Sequence, residues 1–566
     1  MNRFDRVFWR RLWSLTRGYW LSDQRRRGVI VFVLVLILGG ASIGLSAYFT
    51  YLLRDATNAL VAKNANQFYH ELEIFLGWLA LMVPVAAYLA YLIGRLTILW
   101  REWMTHQFVA LGFQDRSFYR MMMLGEVDNP DQRISEDINS FVGGWLVYIL
   151  LTISSIATAA TFIGILWSIS HFLTVALLLY SAAGTYLSVL VGRRLVRINF
   201  DQKRYEADFR FGLVHVRDNI EPILMYGGEQ HETNQLSRRF SNVVRNYNLL
   251  ILWQRHLKFV TESYNNLIVL LPYFLLAGQY FAGHLQYGQL SQAAAVFGSV
   301  QGALSLVVSN FDGFTGFAAV VNRLATFVEE CDSARVAAAE AGIETVEDGR
   351  VAFEHITVLT PDRGKSLVAD LNVDASTLGP MLVKGPSGVG KTSLLRALAG
   401  IWRTGNGTIR RPPLSEVMFL PQRPYMILGS LREQLTYPHA GNATDAELQA
   451  ILADVNLANL PDRFGGLDLE LQWSDVLSPG EQQRLAFARL LLNRPRYAFL
   501  DEATSALDPD NEENLYRRLA RSGIEFLSSG HRPSLQRFHR TLLELHEGER
   551  WRLQPSPGFD DSTRAA

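Results

Sequence analysis

From Val29 to Leu53 the chain runs 25 residues without a charge, enough for one helix to cross the roughly 30 Å hydrocarbon layer of a bilayer. Further apolar segments follow at Phe75–Gly94, Trp145–Ser168, Phe172–Val191, Tyr264–Phe281 and Ser291–Val308, so the pattern predicts six spanning helices. The last is rich in Gly, Ser and Gln and fails a hydropathy test by itself; a polar membrane segment faces a water-filled path or a partner helix. Arginines cluster before the first span, after the second (Arg101, Arg116, Arg120), after the fourth (Arg193, Arg194, Arg197, Lys203, Arg204) and after the sixth (Arg323), and the alternate loops are poor in positive charge. This alternation places both termini on the cytoplasmic side.

Membrane character ends near Phe327. Glu329–Gly349 is rich in Ala and Glu and reads as a helical tail and linker, followed by a soluble domain from about Arg350 to Gln554 and a disordered end. Ahead of the first span, Arg3, Arg6, Arg10, Arg11, Arg17 and Arg25 to Arg27 interleave with Phe4, Phe8, Trp9, Trp13, Tyr19 and Trp20, the composition of an amphipathic helix lying in a membrane interface. A cleaved signal is the rival reading, but its apolar core would be shorter than the segment that follows. Between the second and third spans, GEVDNPDQRISEDI has Asn129, Pro130 and Gln132 spaced as a helix start, with a short docking helix as the sharper reading.

Composition narrows the class. The formal charge is zero, so no basic field argues for nucleic acid, and one cysteine, Cys331, excludes an intrachain disulfide and a cysteine metal site.

The chemistry is ordered along the soluble half. Gly385 to Thr392 reads GPSGVGKT between the apolar run Met381–Val383 and the alternating SLLRALAGIW, which is the strand, glycine loop and helix of a phosphate-binding P-loop. The residues Gly385, Pro386, Ser387, Gly388, Val389, Gly390 and Ser393 frame the phosphates, the glycines letting backbone N–H groups turn inward, Lys391 can reach the β and γ phosphates, and Thr392 can ligate Mg2+. Gln422 can reach Mg2+ or the attacking water. In LSPGEQQR, Ser478, Pro479 and Glu481 form a capping-box helix start that suits an anion. Tyr497–Leu500 is a buried strand ending in Asp501, placed to hold Mg2+, and Glu502, read as pointing to the other face and acting as general base. His531 in SSGHR is available to a γ-phosphate.

In this order, the P-loop, the glutamine loop, LSPGEQQR, AFLDEATSALD and SSGHR resemble the nucleotide-binding domain of an ABC transporter, and the six spans resemble its membrane domain. WREWMT, DNPDQRISEDI, FLPQRPYMILGSLREQLTYP and WSDVLSPGEQQRL are similar to the SbmA/BacA-like, YddA-like bacterial branch, and more distantly to the peroxisomal fatty-acyl-CoA half-transporters of subfamily D. The resemblance implies an all-α six-helix transmembrane domain of exporter type followed by an α/β P-loop NTPase. Its divisions are residues 1–27 (interfacial helix), 28–328 (membrane domain), 329–349 (linker), 350–554 (nucleotide-binding domain) and 555–566 (disordered tail). It implies ATP and Mg2+ as cofactors, Gln422 as γ-phosphate sensor, Glu502 as catalytic base, His531 as switch histidine, Ser478 and Gly480 as contacts to nucleotide on the opposite subunit, and Asp508 at the dimer seam. Because the signature acts in trans, a homodimer is the economical reading and a heterodimer its alternative. The implied location is a bacterial inner membrane, with membrane lipids around the spans and a small molecule or peptide as cargo. Hydrophilic solutes such as cobalamin stand on one side, acyl-CoA or fatty acids on the other. An ATP-gated channel or regulatory subunit is the alternative from another class. Two departures stand out: Pro479 replaces a signature glycine, and TVLTPDRG (Thr357–Gly364) lacks the aromatic that the family commonly stacks on adenine.

Overall fold

A computed structural model describes residues 5–114, 118–119, 130–306, 310–339, 342–361, 364–439, 443–548 and 550–560. The chain forms two compact units, Met1–Leu111 with Val127–Glu329, and Gly112–Glu126 with Glu330–Ala566.

The first unit is helical. Asp5 caps α1 (Arg6–Leu21) by accepting the Phe8 N–H at 2.9 Å, and α1 buries Phe8, Leu15 and Tyr19 while leaving Trp9 and Trp13 exposed, the two-faced character of an interfacial helix. Then come α2 (Arg25–Val61), α3 (Ala65–Phe113), α4 (Ile138–Ile169), α5 (His171–Asp218), α6 (Ile220–Tyr226), α7 (Glu229–Phe281), α8 (Tyr287–Leu304) and α9 (Phe311–Ala339). Among the described residues, Arg25–Val61, Ala65–Phe113 and Pro130–Ile169 are long and apolar enough to cross a membrane. Their outer faces carry exposed Ile30, Ile37, Leu76 and Val83, a surface suited to hydrocarbon rather than water. At 1.5 Å per residue, α5 is about 72 Å long, so the charged stretch after the fourth apolar segment is the same helix continued beyond the bilayer. The Gln-rich α8 is packed inside: Gln292 is buried and donates to Thr50 Oγ1 of α2 at 3.2 Å, the partner-helix solution for a polar membrane segment.

Of GEVDNPDQRISEDI, residues 125–129 lie outside the described set. The described helix starts at Pro130, and Gln132 donates to Glu136 Oε2 at 3.0 Å, one helical turn on. A π-helical turn, Arg133–Asp137, leads into α4. It is fastened to α9 by a bidentate ion pair from Arg323 to Asp137 (2.7 and 2.6 Å) and by Arg133 donating to the Arg323 carbonyl at 2.9 Å.

The second unit is α/β. A six-stranded sheet runs β12 (Trp551–Pro555), β11 (Thr541–Leu545), β4 (Met381–Lys384), β10 (Glu525–Ser529), β9 (Tyr497–Asp501), β6 (Val417–Leu420), parallel except for β12. A second sheet has the order β1 (Glu344–Glu347), β5 (Gly405–Arg411), β2 (Ala352–Leu359), β3 (Ser366–Asp374), and β7 (Gly429–Ser430) pairs with β8 (Glu470–Leu471). In the large sheet, strands β4 and β9 are largely apolar because both faces are covered there; Met381, Leu382 and Val383 of β4 and Ala498, Phe499 and Leu500 of β9 are all buried.

Two boundaries differ from the sequence reading. In the segment 329–349, read as a helical tail and linker, α9 runs to Ala339, and Glu344–Glu347 form a strand, β1, paired in parallel with Thr408–Arg411. The expected tail from 555 starts inside β12, and Ser556 is buried, donating to the Gln536 carbonyl at 2.8 Å. Both corrections have one cause: backbone pairing is set by a free strand edge on the neighbouring segment, which composition does not report.

Candidate nucleotide site

The P-loop leaves the C-terminal end of β4, a strand flanked on both sides in the sheet, and enters α10 (Lys391–Leu398). Ligands of open α/β sheets bind at this edge. Gly385 is required by close approach, since a Cβ there would lie 2.4 Å from the Leu545 carbonyl oxygen. Gly390 sits at φ +109° as the residue capping α10, a conformation that side chains rarely adopt. Val389 and Gly390 are buried, while Pro386, Ser387 and Gly388 form the exposed rim, and Ser393 is half-buried in the first turn of α10.

The Lys391 Nζ lies 2.9 Å from the carbonyls of Gly385 and Pro386 and 2.9 Å from His531 Nε2. Burial pulls the Lys391 pKa down, and the Glu502 and Asp501 carboxylates oppose it. A buried ammonium facing neutral carbonyls is under-compensated, so an anion is favoured here.

Asp501, at the end of β9, accepts from Ser529 Oγ at 2.6 Å and from Thr392 Oγ1 at 3.2 Å. These are hard oxygen donors, and among the described residues no group of three or more His, Cys, Asp or Glu could hold a metal. Mg2+ suits such a place, because it is usually held by one or two protein oxygens with phosphate and water completing its shell.

Glu502 is not positioned by strand alternation as the sequence reading has it. It adopts φ +46°, and its N–H meets the Ser529 carbonyl and Oγ, both at 3.2 Å. A glutamate in the left-handed region is held there by its surroundings, and the turn carries its carboxylate to Gln422 Nε2 (3.0 Å, to Oε2) and His531 Nε2 (3.2 Å, to Oε1). Lys391, Thr392, Gln422, Asp501, Glu502 and His531 therefore gather at one end of the sheet.

Ser478, Gly480 and Asp508 do not join this cluster; no described hydrogen bond links them to it. Ser478 caps α13 (Pro479–Asn493) in a reciprocal capping box with Glu481, with Pro479 at the first helical position. Asp508 caps α14 (Pro509–Arg521) by accepting the Asn511 N–H at 2.9 Å. Of Thr357–Gly364, residues 362–363 lie outside the described set.

Sequence reasoning missed the residues that hold these loops. Ser529 orients both acidic groups. Arg489, on α13 and buried, donates to the Tyr425 carbonyl and to Gln434 Oε1, each at 2.6 Å, and also to the Gln434 carbonyl; burial lowers its pKa to about 10. Gln434 in turn accepts the Ile427 N–H at 3.0 Å and donates to the Ile427 carbonyl at 2.5 Å. No periodicity marks such positions, since a polar side chain in an apolar run is recognised only once its partners are known.

Residues 15–281 match the family described as ABC transporter transmembrane region 2, and residues 368–505 the family described as ABC transporter. The chain is 44% identical over 524 residues to an uncharacterized ABC transporter ATP-binding protein of Synechocystis sp., covering 90% of this chain and 79% of that protein. It is 32% identical to the lysosomal cobalamin transporter of Homo sapiens, over 81% of this chain and 82% of the relative. A bacterial Atm1-family ABC exporter with ATP bound shares the fold with a TM-score of 0.72 at 19% identity, covering 93% and 94% of the two chains.

Proposed function

Because the chain belongs to the ABC transporters, as a half-transporter of the subfamily D type with an exporter fold, we propose that two copies of it form a homodimer that moves cargo by alternating access. The family's ATPase domain couples ATP hydrolysis to transport. Within it we assign Lys391 and the loop Gly385–Gly390 to the phosphates, Thr392 and Asp501 to Mg2+, Glu502 to accepting the proton of the attacking water, and His531 and Gln422 to sensing the γ-phosphate. The observation that carries the reading is the convergence of Gln422 and His531 on the Glu502 carboxylate at the P-loop, while Ser478, Gly480 and Asp508 stand outside that cluster. A second copy would bring its Ser478 and Gly480 to the phosphates, so closure depends on bound ATP, and that differential affinity shifts the membrane halves. ATP binding would draw Lys391 from its loop carbonyls, and hydrolysis would release the pair.

For cargo, we propose peptides or hydrophilic compounds. Similarity to a relative named for cobalamin transport supports this, as do the polar side chains in the spans, Gln301 donating to Asn265 at 3.4 Å among them. Acyl-CoA, fatty acids or lipids are the alternative. The setting is a bacterial inner membrane with the ATPase domain in the cytoplasm.

Glu502→Gln, in the full chain reconstituted in vesicles, should keep ATP binding and lose turnover and transport by about a hundredfold or more, the usual worth of a general base. ATP-driven transport at the normal rate in that variant would overturn the assignment.

A further inference from the structure

Three elements of the nucleotide-binding unit that lie apart in sequence meet at one amide. Gln483 is on α13, one turn beyond the Ser478–Gly480 helix start, and is 3% exposed. Its Nε2 donates to the backbone carbonyl of Gln422 at 3.0 Å and to Ser505 Oγ at 3.2 Å, and its Oε1 accepts the Ala506 N–H at 2.9 Å. The amide orientation follows from its partners: an oxygen must face the Ala506 N–H, and the NH2 group must face the Gln422 carbonyl. Both donors and the acceptor are engaged, leaving no slack in the joint.

The segment it grips, Ser505–Leu507, leads directly into Asp508 and is held from the opposite side as well. Arg532, next to His531, donates to the Leu507 carbonyl at 2.8 Å and to the Ser505 carbonyl at 3.1 Å. The start of α13 also lies close against it, with a Cβ on Gly480 falling 3.1 Å from the Ala506 carbonyl oxygen. Gln483 thus ties the residue that touches the Glu502 carboxylate in its own copy to the two segments that would meet the partner's nucleotide.

We propose that Gln483 is a positioning residue that transmits the state of Gln422 to the Ser505–Asp508 segment and the signature start, coupling the two shared ATP sites. The idea rests on the dimeric ATPase reading above and adds the connection between its sites. An apolar side chain of the same length would leave the Gln422 carbonyl and the Ala506 N–H without their partner, so Gln422 would still exist but would no longer move with the partner-facing segment. A displacement of this kind lowers the rate of the chemical step more than it weakens nucleotide binding.

The test uses the full chain in phosphatidylethanolamine–phosphatidylglycerol vesicles, with steady-state ATPase rates and binding of a fluorescent ATP analogue. Gln483→Met should lower kcat about tenfold while leaving KM and analogue binding within about twofold. Combined with Gln422→Ala, it should add no further loss, because it acts through that residue. A kcat within twofold of the unsubstituted chain, or losses in the double variant that multiply, would overturn the proposal. Should Gln483→Met fail to reach the membrane, Gln483→Glu carries the same two criteria, since it keeps the oxygen facing Ala506 and lacks the donor facing Gln422. Glu502→Gln is assayed alongside: surviving turnover there rejects the ATPase reading itself, independently of any result at Gln483.

Discussion

His539 sits directly behind the strand that leads to His531, and it gives the nucleotide-binding unit a definite acid sensitivity. It is fully buried, with Nδ1 2.7 Å from the Leu535 carbonyl and Nε2 2.9 Å from Ser528 Oγ. Its ring meets Tyr516 and Phe526 edge-on at 5.6 and 5.1 Å. The Nδ1–H donates and Nε2 accepts from the Ser528 hydroxyl, so the neutral ring is fully satisfied, and protonation would place a charge where burial disfavours it. Burial accordingly lowers its pKa from 6.5 to about 4, against a smaller opposing effect of the Leu535 carbonyl. The sign is that of a depressed pKa. Above pH 6.5 the group carries no penalty; below it the unfolded chain takes up a proton that the folded chain refuses, and stability falls until about pH 4, where it levels off. At about 1.36 kcal/mol per pH unit, the full loss is about 3 kcal/mol, with about 2 kcal/mol already gone at pH 5. His539→Gln keeps a donor and an acceptor without titrating. Its stability relative to the unsubstituted chain is read by hydrogen exchange of β10 in the full protein, where comparison at equal pH removes the intrinsic exchange rate. At pH 7.5 the variant should be the less stable, by about 1–2 kcal/mol for the lost ring contacts. At pH 5 the gap should close or reverse. A difference that stays constant between these pH values would refute the reasoning.

Two further substitutions test the scaffold and the departure in the signature. Arg489→Met leaves the Tyr425 carbonyl and both oxygens of Gln434 without a charged donor, and should cost about 3 kcal/mol, or roughly 6–12 °C in the Tm of the nucleotide-binding unit by calorimetry; an unchanged Tm would show that the buried guanidinium contributes nothing. Pro479→Gly restores a backbone donor at the helix start while freeing the unfolded chain, so KM for ATP should fall two- to threefold and stability by about 0.5–1 kcal/mol; a raised KM would show that the proline orients the signature rather than impoverishing it.

How much of this was legible before the structure depends on the range of each interaction. The P-loop and the Ser478–Glu481 capping box are local: strand, glycine loop and helix, or a serine three residues from a glutamate, carry their own geometry, and Pro479 at the first helical position follows the same logic because its missing N–H is an orphan there. The position of Glu502 is not local. Strand alternation does not set it, and the Ser529 contacts that hold φ +46° come from a neighbouring strand 27 residues on. Strand β1 was illegible for a related reason: Glu-Thr-Val-Glu has neither apolar alternation nor turn signals, and it forms because β5 offers an unpaired edge.

The same distinction explains the division of labour in the site. The groups assigned to phosphate and Mg2+ sit on four different loops, after β4, β6, β9 and β10, and no short motif can fix distances between loops. Gln483, Arg489, Ser529 and the half-exposed Arg532 do this by committing donors to backbone carbonyls or to Asp501. In the arrangement described here, the Lys391 ammonium already meets three partners and the Glu502 carboxylate already accepts from Gln422. A γ-phosphate must therefore compete for groups that are occupied. It would do so because an ammonium attracts an anionic phosphate oxygen more strongly than a neutral carbonyl, and each exchange would free a loop partner that was held. Under that assignment, binding would rearrange the loops rather than add to them, and the fully engaged joint at Gln483 would pass the rearrangement on.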